Sequence, residues 1–411
     1  MPDADGCGPG FDPGRRRGWC VVTGVVDLDG IRVTYGDVTA VEALSLSVRN
    51  GELFCLLGPS GCGKTTTLRT VAGFESPAAG RVVLDGRDVT DLAPYDRGCA
   101  TVFQDWALFP NKTVAENVAF GPKMAGVPAD RRRERAREQL AAVEMTDHAD
   151  DPPGELSGGQ KQRVALARSL AVDPEVLLLD EPLSNLDKRL RETMQLEIKE
   201  IQERLETPML YVTHDQEEAF TLADRIGIMN DGELVQVGAP RTVYDDPVDR
   251  FVEAFLGSTN FLSGRVVAGA DAGVGADSVA VEFPAAGLQA PVPAGDDLAV
   301  GDDVTASVRP EVVDLAPAVD GAAASTDGGA ASEPDVTGHA DGRAILAGTV
   351  SEVVYRGSNV RHHVAVGDGA ELFVERPVTD APGLAAGDAA RLSWEVTDVY
   401  HFGPDGARVR L

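Results

Sequence analysis

One short run limits what this chain can be. GPSGCGKT, Gly58–Thr65, fits the pattern G-x-x-x-x-G-K-[ST]. The apolar run ELFCLL (Glu52–Leu57) leads into it, and the helix-forming stretch KTTTLRTVAGF starts at its Lys64. A strand that passes through a glycine-rich turn into a helix directs backbone N–H groups around a phosphate. In that setting Lys64 reaches toward the β and γ phosphates and the Thr65 hydroxyl holds Mg²⁺.

The neighbouring patterns supply the sheet that such a loop needs. EVLLLDEP (Glu175–Pro182) and MLYVTHD (Met209–Asp215) read as buried strands, and QEEAFTLAD after the second reads as a helix. RIGIMNDGELVQVG (Arg225–Gly238) reads as a hairpin turning at NDG. Buried strands alternating with helices predict a mostly parallel sheet with helices on both faces, the α/β class. Asp180, at the end of LLLDE, is the candidate Mg²⁺ carboxylate, and Glu181 is the candidate general base for an attacking water. Gln104, in VFQDWALFP, follows another short apolar run and is a candidate for Mg²⁺ or the water. His214 follows LYVT, at the strand edge where ligands of parallel sheets bind.

A second helix mouth is harder to explain. PGELSGGQKQRVALARSL (Pro153–Leu170) also places serine and glycines before a helical run, the layout of a phosphate-binding N-terminus. Upstream, PADRRRERAREQLAAVEM (Pro128–Met145) reads as a helix whose arginines form a solvated face with Glu134 and Glu138.

Composition narrows the class. The 411 residues suit two or three domains. A formal charge of −29 argues against nucleic acid as the main partner, because phosphate backbones call for Lys and Arg. The last lysine is Lys199, and an acidic, lysine-poor chain resembles the proteomes of salt-loving microbes, halophilic archaea among them; a GC-rich genome also favours Arg over Lys. Cys7, Cys20, Cys55, Cys62 and Cys99 match no disulfide framework or metal spacing and read as reduced. No stretch reaches the ~18–20 apolar residues of a membrane span. Residues 1–25 read as a disordered extension rich in Gly, Pro and Asp. After Gly257 helical periodicity nearly vanishes, and NFLSGRVV, VTASVRPEVVDL, AILAGTVSEVVYRG and HHVAVGDGAELFVERP read as a small β-barrel. Within it, residues 317–341 are low-complexity Ala, Gly, Ser and Asp, expected to be a disordered loop.

Taken in order, these motifs resemble the ATP-binding-cassette (ABC) ATPases, over roughly residues 26–256. LSGGQ (Leu156–Gln160) matches that family's signature, SNLD (Ser184–Asp187) its dimer-contacting loop, and Tyr35 its adenine-stacking aromatic. The resemblance implies a P-loop NTPase core with a helical subdomain over about residues 105–172. It assigns ATP contacts to Tyr35, Gly58, Pro59, Ser60, Gly61, Cys62, Gly63, Lys64, Thr65, Thr66 and Asp187, and to Ser157, Gly158, Gly159 and Gln160 acting on a second chain's nucleotide. Thr65, Gln104 and Asp180 fall to Mg²⁺, and Glu181, His214 and Gln104 to catalysis.

GSTNFLSGRV and SVRPEVVDL resemble the C-terminal oligosaccharide-binding (OB-like, TOBE) barrel of importer ATPases, placed here at residues 257–411. Those importers serve sugars, polyamines, ferric iron, phosphonates and some oxyanions. ALFPNKTVAENVAFGPKM (Ala107–Met124) looks closest to the polyamine and ferric-iron branch. The resemblance implies a homodimer on the cytoplasmic face of the membrane, permease subunits as direct partners, and an extracellular solute-binding protein as an indirect one. A soluble cassette ATPase acting on DNA or ribosomes is the rival class, and it usually carries coiled coils, zinc hooks or tandem cassettes that this chain lacks. A GTPase is disfavoured because Asn111-Lys112-Thr113 continues with Val114 rather than Asp.

Overall fold

The computed structural model describes residues 24–268, 278–293, 298–318, 338–340 and 343–410. It packs as two compact units. The first runs to Leu56 and adds Ser60–Thr213 and Asp231–Glu233; the second holds Leu57–Pro59, His214–Asn230 and Leu234 onward.

The first unit opens on an antiparallel sheet that the reading of a mostly parallel architecture omitted. Strands β1 (Val26–Tyr35) and β2 (Val38–Val48) pair with Val26 opposite Val48 and Leu28 opposite Leu46. After β3 (Leu53–Leu57) and helix α1 (Lys64–Ala72), β4 (Ala79–Leu84) and β5 (Arg87–Asp88) complete the order β2-β1-β4-β5. Alternation of buried and outward residues along β1, with Val26, Leu28, Ile31 and Val33 inward, is the signature of a sheet covered on one face.

The parallel sheet follows the expected pattern. β6 (Cys99–Val102) precedes the helices α2 (Val114–Val118), α3 (Phe120–Met124), α4 (Ala129–Ala142) and α5 (Gly158–Leu170). Then come β7 (Val176–Asp180), α6 (Lys188–Leu205) and β8 (Met209–Thr213), and the strands lie in the order β3-β8-β7-β6. β7 pairs in parallel with β6 and with β8, so Val102, Leu179 and Tyr211 run in register. β3 and β8 are buried along their whole length, which is why they read as unbroken apolar runs. α2, α4 and α5 pack on one another, and Arg131 pairs with Glu134 on the solvated face of α4.

In the second unit, α7 (Gln216–Leu222), β9 (Arg225–Asn230), β10 (Glu233–Gly238), α8 (Pro240–Asp245) and α9 (Arg250–Leu256) precede a β-domain. The β9–β10 turn has Asp231 at φ +46° and Gly232 at φ +86°, the left-handed pair that a tight hairpin asks for. The β-domain consists of β11 (Asn260–Val267), β12 (Ser278–Phe283), β13 (Leu288–Pro293), β14 (Asp303–Val308), β15 (Asp314–Pro317), β16 (Gly338–Ala340), β17 (Arg343–Arg356), β18 (Asn359–Val366), β19 (Ala370–Pro377), β20 (Ala389–Glu395) and β21 (Val399–Phe402). One sheet runs β13-β12-β11-β14-β21 and the other β15-β20-β17-β18-β19, with β16 on β17. Leu262, Phe283 and Val308 of the first meet Leu346, Leu372 and Trp394 of the second in one core. Each such side chain, fully buried, contributes about 1.5–3 kcal/mol.

Arg309, from the SVRPE run, fastens α8 and α9 to this domain. It donates to Glu253 at 2.7 Å and lies 3.8 Å over the Tyr244 ring, while Ser307 donates to the same carboxylate at 2.8 Å. The expected disordered extension falls almost wholly outside the described residues. The span read as a low-complexity loop begins at the last residue of β15 and includes β16; its residues 319–337 lie outside the described set.

Candidate functional site

The phosphate loop is built by backbone rather than by side chains. Gly61 and Gly63 sit at φ +85° and +103°, a region closed to most residues with a Cβ. Gly63 is the N-cap of α1 and contributes no side-chain bond. Its carbonyl accepts from the Thr67 amide at 2.8 Å and the Thr67 hydroxyl at 3.0 Å. Gly58 is buried, Pro59 half-buried, and Ser60 exposed. Lys64 is only 5% exposed, with its Nζ 3.8 Å from Cys62 Sγ. Burial pushes the Cys62 thiol up, and the Lys64 charge pulls it back.

Sheet register brings two of the predicted residues together across 115 positions of sequence. The Thr65 hydroxyl donates to Asp180 Oδ1 at 3.0 Å. Burial raises the Asp180 carboxyl above its ordinary value; the Thr65 bond lowers it, Glu181 raises it further, and Arg69 and Lys64 lower it. A hydroxyl and a carboxylate oxygen this close, with the carboxylate penalised more by burial than it is relieved by nearby cations, form a donor set that suits Mg²⁺.

Glu181 has φ +44°, a costly conformation for a residue with a side chain. Its surroundings over-determine it. Its amide donates to the Val212 carbonyl at 3.0 Å, and its own carbonyl accepts from the Ser184 hydroxyl at 2.9 Å. These two bonds hold the Glu181 backbone in this conformation directly after β7.

Gln104 is exposed, two residues beyond β6. The loop after it is clamped from two sides, by Asn185 of the SNLD run and by Arg168, neither of which the sequence pointed to for this contact. Asn185 Nδ2 donates to the Gln104 carbonyl at 2.9 Å. Trp106 and Ala107 adopt φ +60° and +45°, and Arg168 of α5 donates to both their carbonyls, at 2.7 and 2.6 Å. Arg97, also missed, is buried and donates to the carbonyls of Thr70, Val71, Thr90 and Leu92, fixing the end of α1. An arginine that binds carbonyls leaves no local pattern, so sequence carries no signal for it.

The second helix mouth is closed by side chains. Ser157 caps α5: its hydroxyl accepts from the Gln160 amide at 3.3 Å, and Gln160 Oε1 accepts from the Ser157 amide at 2.8 Å. A Cβ at Gly158 would come within 3.0 Å of Leu186, and one at Gly159 within 3.0 Å of Leu190, so both glycines admit the approach of the α6 segment. Asp187 caps α6 by accepting from the Leu190 amide at 3.0 Å. Tyr35 ends β1 with 47% exposure; burial pushes its phenol up, with side-chain hydrogen bonding to Thr66 and Glu75 acting in opposite senses. His214 is exposed and directly follows β8.

A family model described as ABC transporter matches residues 41–184, and one described as TOBE domain matches residues 306–402. The spermidine/putrescine import ATP-binding protein PotA of Rubrobacter xylanophilus is 44% identical over 371 residues, 90% of this chain and 91% of that protein. The chain belongs to the ABC transporter family. The spermidine/putrescine import ATP-binding protein PotA of Acidothermus cellulolyticus is 45% identical over 369 residues, 89% of this chain and 90% of that protein. Among solved structures, cbiO1 of Clostridium perfringens, part of the ABC transporter complex cbiONQ, is 28% identical with a TM-score of 0.51, over 54% of this chain and 91% of that one. This ABC ATPase hydrolyses ATP to power import, on a P-loop NTPase core followed by a TOBE domain. Among the described residues, no helix is long and apolar enough to cross a membrane.

Proposed function

We propose that this ABC ATPase powers polyamine uptake as a head-to-tail pair, each nucleotide held between the phosphate loop of one chain and Ser157–Gln160 of the other. The observation that carries the catalytic half is the Thr65–Asp180 pair at 3.0 Å, beside a Glu181 held in one conformation. The names of the relatives, matching over nine-tenths of the chain, support polyamine as the cargo; the likeness of Ala107–Met124 is to the polyamine and ferric-iron branch together.

In this reading the α1 amides and Lys64 take the phosphates, and Tyr35 stacks on the base. Thr65 and Asp180 hold Mg²⁺, which when bound neutralises charge on the phosphate oxygens. Gln104 faces the metal or the water from its clamped loop. Glu181 takes the proton of the attacking water, and His214, at the end of β8, is the further candidate for keeping phosphate and base in line. The Ser157 hydroxyl and the Gly158 and Gly159 amides of the second chain complete the charge stabilisation. Opening and closing of the pair drives permease subunits at the cytoplasmic face of the membrane, with the solute-binding protein acting through them.

Glu181→Gln tests the reading. It leaves ATP binding intact, lowers turnover by about 10²-fold or more and traps the dimer in ATP; unchanged hydrolysis removes Glu181 from the role. Uptake of radiolabelled spermidine, ferric iron and maltose by cells with and without this chain tests the cargo. Loss of any uptake other than spermidine overturns polyamine.

A further inference from the structure

The signature turn is held from outside by a histidine that no motif names. Gln160 Nε2 lies 2.9 Å from His148 Nε2, and His148 Nδ1 lies 2.7 Å from Asp151 Oδ2. Only one hydrogen arrangement satisfies both contacts. Gln160 Nε2 can only donate, so His148 Nε2 accepts from it, and Nδ1 carries the proton that Asp151 Oδ2 accepts. The Gln160 amide is thereby oriented. Its nitrogen faces His148, which turns its oxygen to the Ser157 amide at 2.8 Å. A flipped Gln160 would set its NH₂ against the Ser157 N–H and break one of the two bonds of the capping box.

The turn that carries His148 and Asp151 is tied to α2. The Val114 and Ala115 amides, the first two of that helix, donate to the carbonyls of Asp151 at 2.9 Å and Ala149 at 2.8 Å. These are donors that a helix start leaves without an internal partner. Asp151 thus joins α2 through its backbone and His148 through its carboxylate.

We propose that His148, oriented by Asp151, is a positioning residue for the signature: it fixes the Gln160 amide and couples the Ser157 turn to the start of α2. The inference rests on the reading of Ser157–Gln160 as half of a nucleotide site. His148 touches no reacting atom in that reading; it acts through Gln160.

The test uses steady-state ATPase and ATP binding on the full chain. Asparagine places its amide where Nδ1 lies, and glutamine where Nε2 lies. His148→Leu and His148→Asn each lower kcat about 3–10-fold, the loss of one hydrogen bond, with KM for ATP within about twofold. His148→Gln restores at least about half of kcat. In a Gln160→Leu background, His148→Leu adds less than about twofold, because the two residues act as one unit. Equal loss in the Leu and Gln variants, unchanged kcat in His148→Leu, or effects that multiply with Gln160→Leu overturn the proposal. Full hydrolysis by Ser157→Arg instead overturns the two-chain site, whatever the His148 variants do.

Discussion

α1 and α5 each start at a glycine-rich turn, yet Gly63 caps α1 with no side-chain bond while Ser157 and Gln160 close α5 reciprocally. The difference separates two tasks that look alike in sequence. In the proposed function the start of α1, where Gly63 adds no side-chain bond, takes a ligand that must enter and leave every cycle. At α5 the cap is satisfied before any ligand arrives, so what the turn presents is a rigid shape. In that proposal Lys64 and Thr65 at one end serve the nucleotide of their own chain, and the capped turn at the other end meets the phosphate of a nucleotide held by a second chain.

The largest effects come from breaking each half separately. Lys64→Ala loses ATP binding and hydrolysis; Ser157→Arg keeps ATP binding by the single chain and loses hydrolysis. Mixed in equal amounts, the two inactive variants recover ATPase activity, because a pair containing one of each retains one site with an intact phosphate loop and an intact signature. No recovery on mixing removes the division of labour between the two helix starts.

A smaller effect separates their glycines. Gly63→Ala forces a Cβ onto φ +103° and lowers stability by about 1–3 kcal/mol. Gly158→Ala meets Leu186 at 3.0 Å, where a flexible side chain gives way, and shifts the thermal midpoint less. Thermal unfolding of both variants checks the order. Ser157→Ala, which removes one cap bond, costs about 0.5–2 kcal/mol by the same measurement.

The smallest effect is a pH signature beside the start of α1. Burial raises the Asp180 carboxyl above its ordinary 3.8, so the native state carries a penalty for the charged form. The stabilising influence of a raised carboxyl is present below pH 3.8 and is lost as pH rises through the folded value. Asp180→Asn, whose Oδ1 still accepts from Thr65, therefore raises the thermal midpoint of the metal-free chain at pH 7, and the gain shrinks as pH falls toward 3.8. A gain independent of pH, or a loss at pH 7, contradicts burial as the cause.

Much of this was legible in the chain. Leu53–Leu57, Val176–Leu179 and Met209–Val212 are continuous apolar runs because their strands are buried, and they read as strands. The sheet of β1, β2, β4 and β5 was missed because its strands alternate and are interrupted by bulges between Leu28 and Thr34, which blur the period of two. The β-domain was legible as strands and turns, but its division into two sheets around Trp394 was not. At the site, motifs named Thr65, Asp180, Glu181, Ser157 and Gln160. They gave no such role to Arg168, Arg97, His148 or the Asn185 of SNLD, which act on backbone carbonyls or on one neighbouring amide.

Sequence by itself determined the phosphate loop, the signature turn and the order of domains, because each is a local pattern in which glycine placement and apolar periodicity dictate nearby geometry. Tertiary structure alone decided that Thr65 meets Asp180, that Glu181 is held in a left-handed conformation between Val212 and Ser184, and that His148 orients Gln160. Those contacts depend on strand register and helix packing, sums of many weak burial terms spread along the chain, and no single stretch of residues records them.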